Sequence, residues 1–177
     1  MLVVAATERE LALLDGLDTL CCGIGPVEAA LGTARALEER RPNAVIHVGI
    51  AGSRTLEPPA LVLGSEAVYC DVLDPGSTVP RIERVRPDAA LLAQARAVLP
   101  DAQVLPIATC GKVGAGTGFE VEAMEGFGVL RACELASVPA VELRAISNSP
   151  DEADRTRWRF EDAFAALAEA LDRLDVL

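Results

Sequence analysis

The fold is decided by residues Val121–Asn148, which read V-E-A-M-E-G-F-G-V-L-R-A-C-E-L-A-S-V-P-A-V-E-L-R-A-I-S-N. The pattern predicts one helix, a short turn and one apolar strand. Glu125 stands at the start of the predicted helix, and Asn148 stands where the strand runs out. Because a helix and a strand that pack side by side can bring such ends together, we expect the two polar ends to meet at one pocket.

Short apolar runs alternate with helical patterns on both sides of this stretch. Predicted strands span residues 2–6, 19–22, 44–48, 65–72 and 104–108, and predicted helices span residues 27–40, 87–99 and 154–174. This alternation predicts an α/β protein in which helices cover both faces of a mostly parallel sheet. A length of 177 residues fits a single domain over residues 1–177.

Composition and charge exclude several classes of function. The net charge of −11 makes nucleic acid and anionic membrane poor partners. The N-terminus has no pattern of a signal peptide, and no apolar run approaches the length of a membrane helix. Five cysteines without a paired C-x-x-C and a single histidine predict reduced thiols, no metal site and no cofactor. We therefore expect a cytoplasmic protein.

Two motifs that resemble functional sites have simpler interpretations. The stretch Gly23-Ile24-Gly25 is followed by Pro-Val-Glu and lacks the third glycine of a dinucleotide fingerprint, which favours a tight strand-to-helix turn. His47 lies inside an apolar strand, where a satisfied core histidine is more common than a general base. A catalytic Ser/His/Asp triad is therefore not predicted, because His47 is the single histidine of the chain.

A set of carboxylates and one amide remains. Glu10 follows the first strand and is also placed as the capping-box partner of Thr7. Glu125 fits an exposed residue at a helix start, and Asn148 fits a turn residue after a strand. A purely structural role is harder to assign to Arg144, because an arginine buried in an apolar run needs an acidic or anionic partner.

A family resemblance covers the chain from Val3 to about Phe164. It rests on G-I-G before a helix, then V-I-H-V-G-I-A-G, V-E-A-M-E-G-F and V-P-A-V-E-L-R-A-I-S-N. Together these motifs are similar to the purine nucleoside phosphorylase and nucleosidase superfamily, and most similar to its single-domain bacterial hydrolases. The resemblance implies a three-layer αβα fold with a central mixed sheet and cleavage of the N-ribosidic bond of a purine nucleoside.

The resemblance also implies roles for individual residues. Glu125 is expected to bind the ribose 2′- and 3′-hydroxyls, and Met124 is expected to pack under the sugar. Glu10 is expected to position the attacking water, with Arg144 near that water. Asn148 is expected to hydrogen-bond N7 of the leaving purine.

Four further residues are expected to bind the substrate. Ala51, Gly52 and Ser147 lie in the same motifs, next to the residues named above. Phe119 is the aromatic side chain expected to stack on the purine.

The amide of Asn148 favours a particular base. Adenine-specific members of the superfamily carry Asp at this position, whereas an amide cannot supply a proton and donates instead to N7 or to a 6-carbonyl oxygen. That pattern suits a 6-oxopurine such as hypoxanthine. The chain also resembles futalosine hydrolases at G-I-A-G, M-E-G-F, R-A-I-S-N and the R-x-R-W of Arg155–Trp158. The resemblance implies hydrolysis of futalosine to hypoxanthine and dehypoxanthine futalosine, in menaquinone biosynthesis.

Several alternatives stay open at this point. A methylthioadenosine/S-adenosylhomocysteine nucleosidase is one, and a phosphorylase is another, because Arg9 and Arg144 offer a modest anion site. A non-catalytic purine- or nucleoside-binding relative is a third, because the segment Gly111–Glu120 is shorter than the family's base-covering loop. Relatives in the family are often dimers or larger, so we expect a homo-oligomer.

Overall fold

The computed structural model describes residues 1–14, 16–74 and 76–174. The strands are β1 (Leu2–Ala5), β2 (Thr19–Cys21), β3 (Val45–Ser53), β4 (Leu61–Tyr69), β5 (Arg84–Val85), β6 (Gln103–Thr109), β7 (Val121–Ala123) and β8 (Ala140–Asn148). The helices are α1 (Glu8–Leu11), α2 (Pro26–Arg40), α3 (Ala89–Val98), α4 (Gly126–Ala136) and α5 (Phe160–Leu174). The prediction of one domain over residues 1–177 includes Asp15, Pro75 and residues 175–177, which lie outside the described residues.

These strands form one mixed sheet in the order β2-β1-β3-β7-β6-β4-β5, and β8 pairs with both β3 and β4. The β3–β8, β4–β6 and β6–β7 pairings are parallel, whereas the β3–β7 and β4–β8 pairings are antiparallel. The strands β3, β8, β4, β6 and β7 therefore close into a ring within the sheet. The predicted α/β class with a mixed, largely parallel sheet is confirmed.

Helices pack against both faces of the sheet, as the continuous apolar strands predict. In β1, Leu2 and Val4 join the core formed with α2 and α4. Val3 and Ala5, which point the other way because side chains alternate along a strand, join the core formed with α3 and α5. The predicted three-layer αβα arrangement follows from this alternation.

The first two helices begin where local sequence predicts. Thr7 caps α1, and its hydroxyl and the Glu10 carboxylate form the two halves of a capping box. Pro26 is the first residue of α2, after Gly25 with a φ of 90°. The tight-turn interpretation of Gly23–Gly25 is therefore confirmed, since both glycines have the positive φ that the turn requires.

Other boundaries differ from the predicted ones. Residues 121–123 form β7 rather than the start of a helix, because they pair with β3 on one side and β6 on the other. The strand predicted over residues 65–72 begins earlier, at Leu61, and ends at Tyr69. The last helix begins at Phe160 rather than Asp154, because a short 3-10 turn over Arg155–Arg157 precedes it.

The helices are short compared with the thickness of a bilayer. Both α2 and α5 contain 15 residues, whereas a membrane-spanning helix needs about 20. No helix within the described residues is long and apolar enough to cross a membrane.

Helices α2 and α4 approach closely at Gly128. A Cβ atom at this position would overlap the carbonyl oxygen of Pro26 and would lie 3.2 Å from the amide nitrogen of Ala30. Both obstacles are backbone atoms, which cannot move aside without displacing α2.

We expect Gly128→Ala to lower the free energy of unfolding by about 1–3 kcal/mol, because overpacking outweighs the better helix propensity of alanine. Urea denaturation followed by circular dichroism measures this change. Gly76→Ala is the control, since the atom nearest to its added Cβ is 3.8 Å away. Equal midpoints for the two variants would contradict the close approach at Gly128.

Candidate active site

A cavity of about 630 Å³ lies where β1, β3, β7 and β8 end. The carboxyl ends of strands are the usual position of a ligand in a sheet of this kind. Six of the predicted site residues line the cavity: Glu10, Ala51, Gly52, Met124, Glu125 and Asn148. The side chains of Arg144 and Ser147 lie behind the wall, and Phe119 lies elsewhere.

Glu125 occupies the position just before α4 and is only 5% exposed. Its Oε1 accepts a hydrogen bond of 3.1 Å from the backbone amide of Gly25. The alternative of an exposed residue at a helix start is therefore wrong. The turn before α2, which sequence analysis treated as purely structural, orients this carboxylate.

Glu10 combines its capping role with a place in the cavity wall. Its Oε2 accepts hydrogen bonds from the amide and the hydroxyl of Thr7, at 3.0 and 2.9 Å. Its Oε1 accepts a bond of 3.1 Å from the amide of Ile50 in β3. The carboxylate is thus held rigidly, with both oxygens oriented by protein donors.

Arg144 lies behind these two carboxylates and is 1% exposed. Its Nε donates to Glu142 Oε1 over 2.8 Å, and its Nη2 lies 3.6 Å from Glu125 Oε2. The prediction that a buried Arg144 needs an acidic partner is confirmed. The Arg144 side chain does not line the cavity. It lies beside Glu125, which does.

The partner Glu142 was missed by sequence analysis. It is fully buried, and burial raises the pKa of its carboxyl while Arg144 lowers it. A signal for the pair was present, because residues two apart in a strand share one face and the sequence reads E-L-R. A Cβ atom at Gly126 would overlap the Glu142 carboxylate, so glycine leaves the space that the pair occupies.

His47 completes the buried cluster. Its Nδ1 lies 2.9 Å from the carbonyl oxygen of Val4, which can only accept, so Nδ1 carries the proton. Its Nε2 therefore presents a lone pair to Arg144 Nη2. Burial lowers the pKa of His47 and the charge of Arg144 lowers it further, which keeps the ring neutral. The prediction of a satisfied core histidine is confirmed.

Asn148 is held by its two neighbours in sequence. Its Oδ1 accepts a bond of 2.7 Å from the Ser147 hydroxyl, and its Nδ2 donates to the Ser149 carbonyl over 2.8 Å. An amide nitrogen carries two hydrogens, so the second one remains for a ligand. Ser147 thus positions Asn148 from behind the cavity wall and is 1% exposed.

The aromatic wall of the cavity is not the predicted one. Phe119 lies under the guanidinium of Arg84, 5.9 Å from it, and outside the cavity. Trp158, Phe160 and Phe164 line the cavity instead, in a row with centroid separations of 5.4 and 6.1 Å. The two phenylalanines belong to α5, where their spacing is also that of core residues, so the sequence pattern does not mark them as cavity residues.

The short glycine-rich segment does reach the cavity. Lys112, Val113 and Gly114 are all part of its wall. Gly114 has a φ of 65°, and a Cβ atom there would lie 3.0 Å from the carbonyl oxygen of Pro150. A few residues thus cover this side of the cavity, which is the side where Asn148 stands.

Three carboxylates line the cavity: those of Glu10, Glu122 and Glu125. Each already binds protein donors on at least one oxygen. Among residues 1–14, 16–74 and 76–174, no group of His, Cys, Asp and Glu side chains is arranged to hold a metal ion. The arrangement suits a neutral, polyhydroxylated ligand with an adjacent hydrogen-bonding ring.

Comparison with known proteins gives consistent matches. A family model described as the phosphorylase superfamily matches residues 19–176. Futalosine hydrolase of Streptomyces coelicolor is 35% identical, over 92% of this chain and 80% of its own. The 5'-methylthioadenosine/S-adenosylhomocysteine nucleosidase of Geobacillus thermodenitrificans is 30% identical, over 85% and 75%. The native structure of futalosine hydrolase of Helicobacter pylori superposes with a TM-score of 0.89 at 20% identity, over 99% and 97% of the chains, and shows the same fold.

The environment of Glu125 makes stability depend on pH. Burial raises the pKa of its carboxyl, against a smaller lowering by Arg144. A raised pKa means that the stability contributed by this group is present below its pKa in the unfolded chain and is lost as the pH rises through its pKa in the folded protein.

We expect Glu125→Gln, which has no titrating group, to escape this loss. The melting temperature of the variant relative to the original protein should rise between about pH 4 and pH 7, as differential scanning fluorimetry can measure. Glu169→Gln on the exposed face of α5 is the control. A constant difference across this range would contradict the buried environment of Glu125.

Proposed function

Because the chain belongs to the phosphorylase superfamily, we propose that it is a nucleosidase that hydrolyses futalosine to hypoxanthine and dehypoxanthine futalosine. The observation that carries the proposal is the convergence of Glu10, Glu125 and Asn148 on one cavity from three different strand ends. Cleavage of an N-ribosidic bond needs a held sugar, a positioned water and a stabilised leaving base, because it passes through an oxocarbenium-like state. The three residues match these needs one by one.

Glu125 is proposed to bind the sugar. A carboxylate accepts hydrogen bonds from two adjacent hydroxyls, which fixes a ribose by its 2′ and 3′ positions. The bond from Gly25 and the proximity of Arg144 fix the plane of the Glu125 carboxylate before the sugar arrives. Met124, the preceding residue in the cavity wall, supplies an apolar surface for the sugar.

Glu10 is proposed to orient and deprotonate the attacking water. A carboxylate within hydrogen-bond reach of the water is the ordinary general base for this step. The amides of Thr7 and Ile50 hold Glu10 in one orientation, so the base is fixed relative to the sugar. Arg144 is proposed to act through Glu125 as a positioning residue, since its guanidinium is buried behind that carboxylate.

Asn148 is proposed to stabilise the leaving base. Its free N–H can donate to N7 or to a 6-oxo group, where negative charge develops as the ribosidic bond breaks. It supplies no proton, which suits hypoxanthine better than adenine. The relatives named futalosine hydrolase and the amide at position 148 therefore support the same base.

Hydrolysis is favoured over phosphorolysis by the state of two arginines. Arg9 pairs with Glu161 over 2.6 Å and lies over the ring of Phe160. Arg144 is engaged by Glu142 and His47. Both guanidiniums are thus already paired with protein groups, which makes these two arginines poorer partners for an inorganic phosphate beside the sugar.

We also propose that the protein acts in the cytoplasm and as a homo-oligomer. Free thiols at all five cysteines fit a reducing compartment. The oligomer is what the family resemblance implies.

The principal test is chromatographic detection of hypoxanthine released from futalosine in phosphate-free buffer. We expect release without phosphate, and a fall in kcat/KM of about 100-fold or more in Glu125→Gln, because the sugar loses an ionised partner. Glu134→Gln, on the exposed side of α4, is the control. A requirement for phosphate would favour a phosphorylase. If no base is released from futalosine, inosine or methylthioadenosine, the proposed enzymatic activity is wrong.

Asn148→Asp tests the choice of base. A carboxyl at this position can donate a proton to N7 and accept from a 6-amino group, so we expect the ratio of kcat/KM for methylthioadenosine over futalosine to rise at least about tenfold. Ser147→Ala, which removes only the support of the amide, should lower both values without changing their ratio much. An unchanged ratio in Asn148→Asp would show that position 148 does not read the base.

A further inference from the structure

The guanidinium of Arg144 has three nitrogens, and each of them donates to a buried group. Nε donates to Glu142 Oε1 over 2.8 Å, and Nη2 donates to Nε2 of His47. Nη1 donates to the carbonyl oxygen of Ile50 over 3.4 Å. Glu125 is not one of these acceptors, because its Oε2 lies 3.6 Å from Nη2, which is too far for a hydrogen bond. Arg144 therefore places its charge beside Glu125 without donating to it.

The outer oxygen of Glu125 is left open by this arrangement. Its Oε1 accepts from the amide of Gly25, whereas its Oε2 accepts no hydrogen bond from the residues that the structure describes. Among those residues, the enclosed side-chain oxygens that lack a partner belong to Thr33, Glu122 and Glu142, so Oε2 of Glu125 retains access. Because Glu125 lines the cavity, a hydroxyl of a ligand there can reach this oxygen.

A guanidinium so close to a carboxylate would ordinarily pair with it directly. Charge-assisted hydrogen bonds are stronger than neutral ones, so an Arg144 with a free donor would close on Glu125. Such a closed pair would occupy Oε2 and compete with the hydroxyl of a ligand. The acceptors provided by Glu142 and His47 remove the free donors that a closed pair needs.

We propose that Glu142 and His47 are positioning residues for substrate binding, which hold the donors of Arg144 away from Glu125 and so keep Oε2 of Glu125 open to a ribose hydroxyl. This inference rests on the proposed nucleosidase function. The charge of Arg144 still acts on Glu125, because it lowers the pKa of that carboxyl against the effect of burial. The sugar-binding group is thus kept both charged and unoccupied.

The backbone around the pair fixes this arrangement. A Cβ atom at Gly126 would overlap the carboxylate of Glu142, and one at Gly64 would lie 3.3 Å from Glu142 Cβ. On the other side, a Cβ atom at Gly49 would overlap Nη1 of Arg144. Glycines of β3, β4 and α4 thus fit closely around the two side chains, which leaves the guanidinium little room to turn.

The charge of Glu142 is balanced without water. Its Oε2 is buried and has no hydrogen-bond partner within the described part of the chain. Gly126, against which this carboxylate packs, is the first residue of α4, where the helix dipole favours a negative charge. If the charge of Glu142 is removed, Glu125 is the described carboxylate that remains within 4 Å of Arg144.

The first experiment is the steady-state kinetics of Glu142→Gln, which keeps the shape of the side chain and removes its charge. Arg144 then closes on Glu125, and the ribose must displace it. We expect KM for futalosine to rise about tenfold, with a smaller change in kcat. Leu99→Ala, buried at the end of α3 and outside the cavity wall, is the control for lost stability alone. An unchanged KM, or the same rise in the control, would overturn the inference.

The dependence of kcat/KM on pH separates this role from a purely structural one, because it reports ionisations of the free enzyme. The charge of Glu142 raises the pKa of Glu125, and the charge of Arg144 lowers it. Removing the first charge and bringing the second closer both lower that pKa, so the acid limb of Glu142→Gln should lie at lower pH. Glu10 and Cys22, which also lie near Glu125, are unchanged in this variant. An acid limb that stays in place would contradict the inference.

Two variants of His47 provide a test that does not depend on the folding of Glu142→Gln. His47→Leu removes the acceptor of Arg144 Nη2, whereas His47→Gln keeps an oxygen that can accept from it. We expect KM for futalosine to rise about 3- to 10-fold in His47→Leu and to return towards the original value in His47→Gln. Equal KM values for the two variants would count against His47 as a positioning residue.

Calorimetric binding of inosine and 2′,3′-dideoxyinosine separates the two proposals if no nucleoside is hydrolysed. In that case the proposed function has failed, and the affinities decide the inference alone. The dideoxy compound lacks the hydroxyls that Oε2 of Glu125 accepts. Glu142→Gln and His47→Leu should therefore weaken the binding of inosine about tenfold and leave that of the dideoxy compound unchanged. Equal weakening of both ligands, or no binding of inosine to the original protein, would overturn the inference.

Discussion

The buried charge of Arg144 is the constraint on which the rest of the site depends. A guanidinium that is 1% exposed is stable only if its neighbours compensate for the lost hydration. Glu142 supplies the counter-charge, His47 supplies a neutral acceptor, and Glu125 lies at the outer side. Breaking such a buried pair on one side costs about 3–5 kcal/mol, so these residues act as one unit.

The backbone around this unit is shaped to fit it. A Cβ atom at Gly49 would overlap Arg144 Nη1 and would lie 2.8 Å from Glu10 Oε1, and Gly126 leaves equivalent space beside Glu142. Gly49 in G-I-A-G and Gly126 in M-E-G-F thus make room for buried charge. The same guanidinium lowers the pKa of both neighbours, which favours the charged form of Glu125 against the effect of burial and the neutral form of His47.

Local features of the fold could be predicted from sequence, and long-range ones could not. The capping box of Thr7 and Glu10 and the start of α2 at Pro26 depend on neighbouring residues, and both are confirmed. The strand β7 has three residues, too few for a period to be visible, and it exists because β3 and β6 pair with it. Its residues were therefore assigned to the helix that follows.

The same division applies to the candidate site. Motif order placed Glu10 and Asn148 after strands and Glu125 at the start of a helix, and the sheet brings all three together at one cavity. Glu122 was passed over because its place in the cavity wall depends on Gly52, which only the strand register brings beside it. Phe119 was chosen as the aromatic available in the short segment Gly111–Glu120, whereas the aromatic wall comes from residues 158–164, near the end of the chain.

The ring formed by β3, β8, β4, β6 and β7 gives the cavity a further property. Three residues of β7 close it by pairing with β6, the preceding strand, and with β3, which lies about 70 residues earlier in the chain. Such non-local pairings are acquired late in folding, because the entropy of loop closure must be overcome first. Glu125 follows β7 within two residues, so the carboxylate that we propose to bind the sugar reaches its place only when the ring is closed. Assembly of the proposed site therefore requires the closed ring, and a molecule in which β7 is unpaired lacks a correctly placed Glu125.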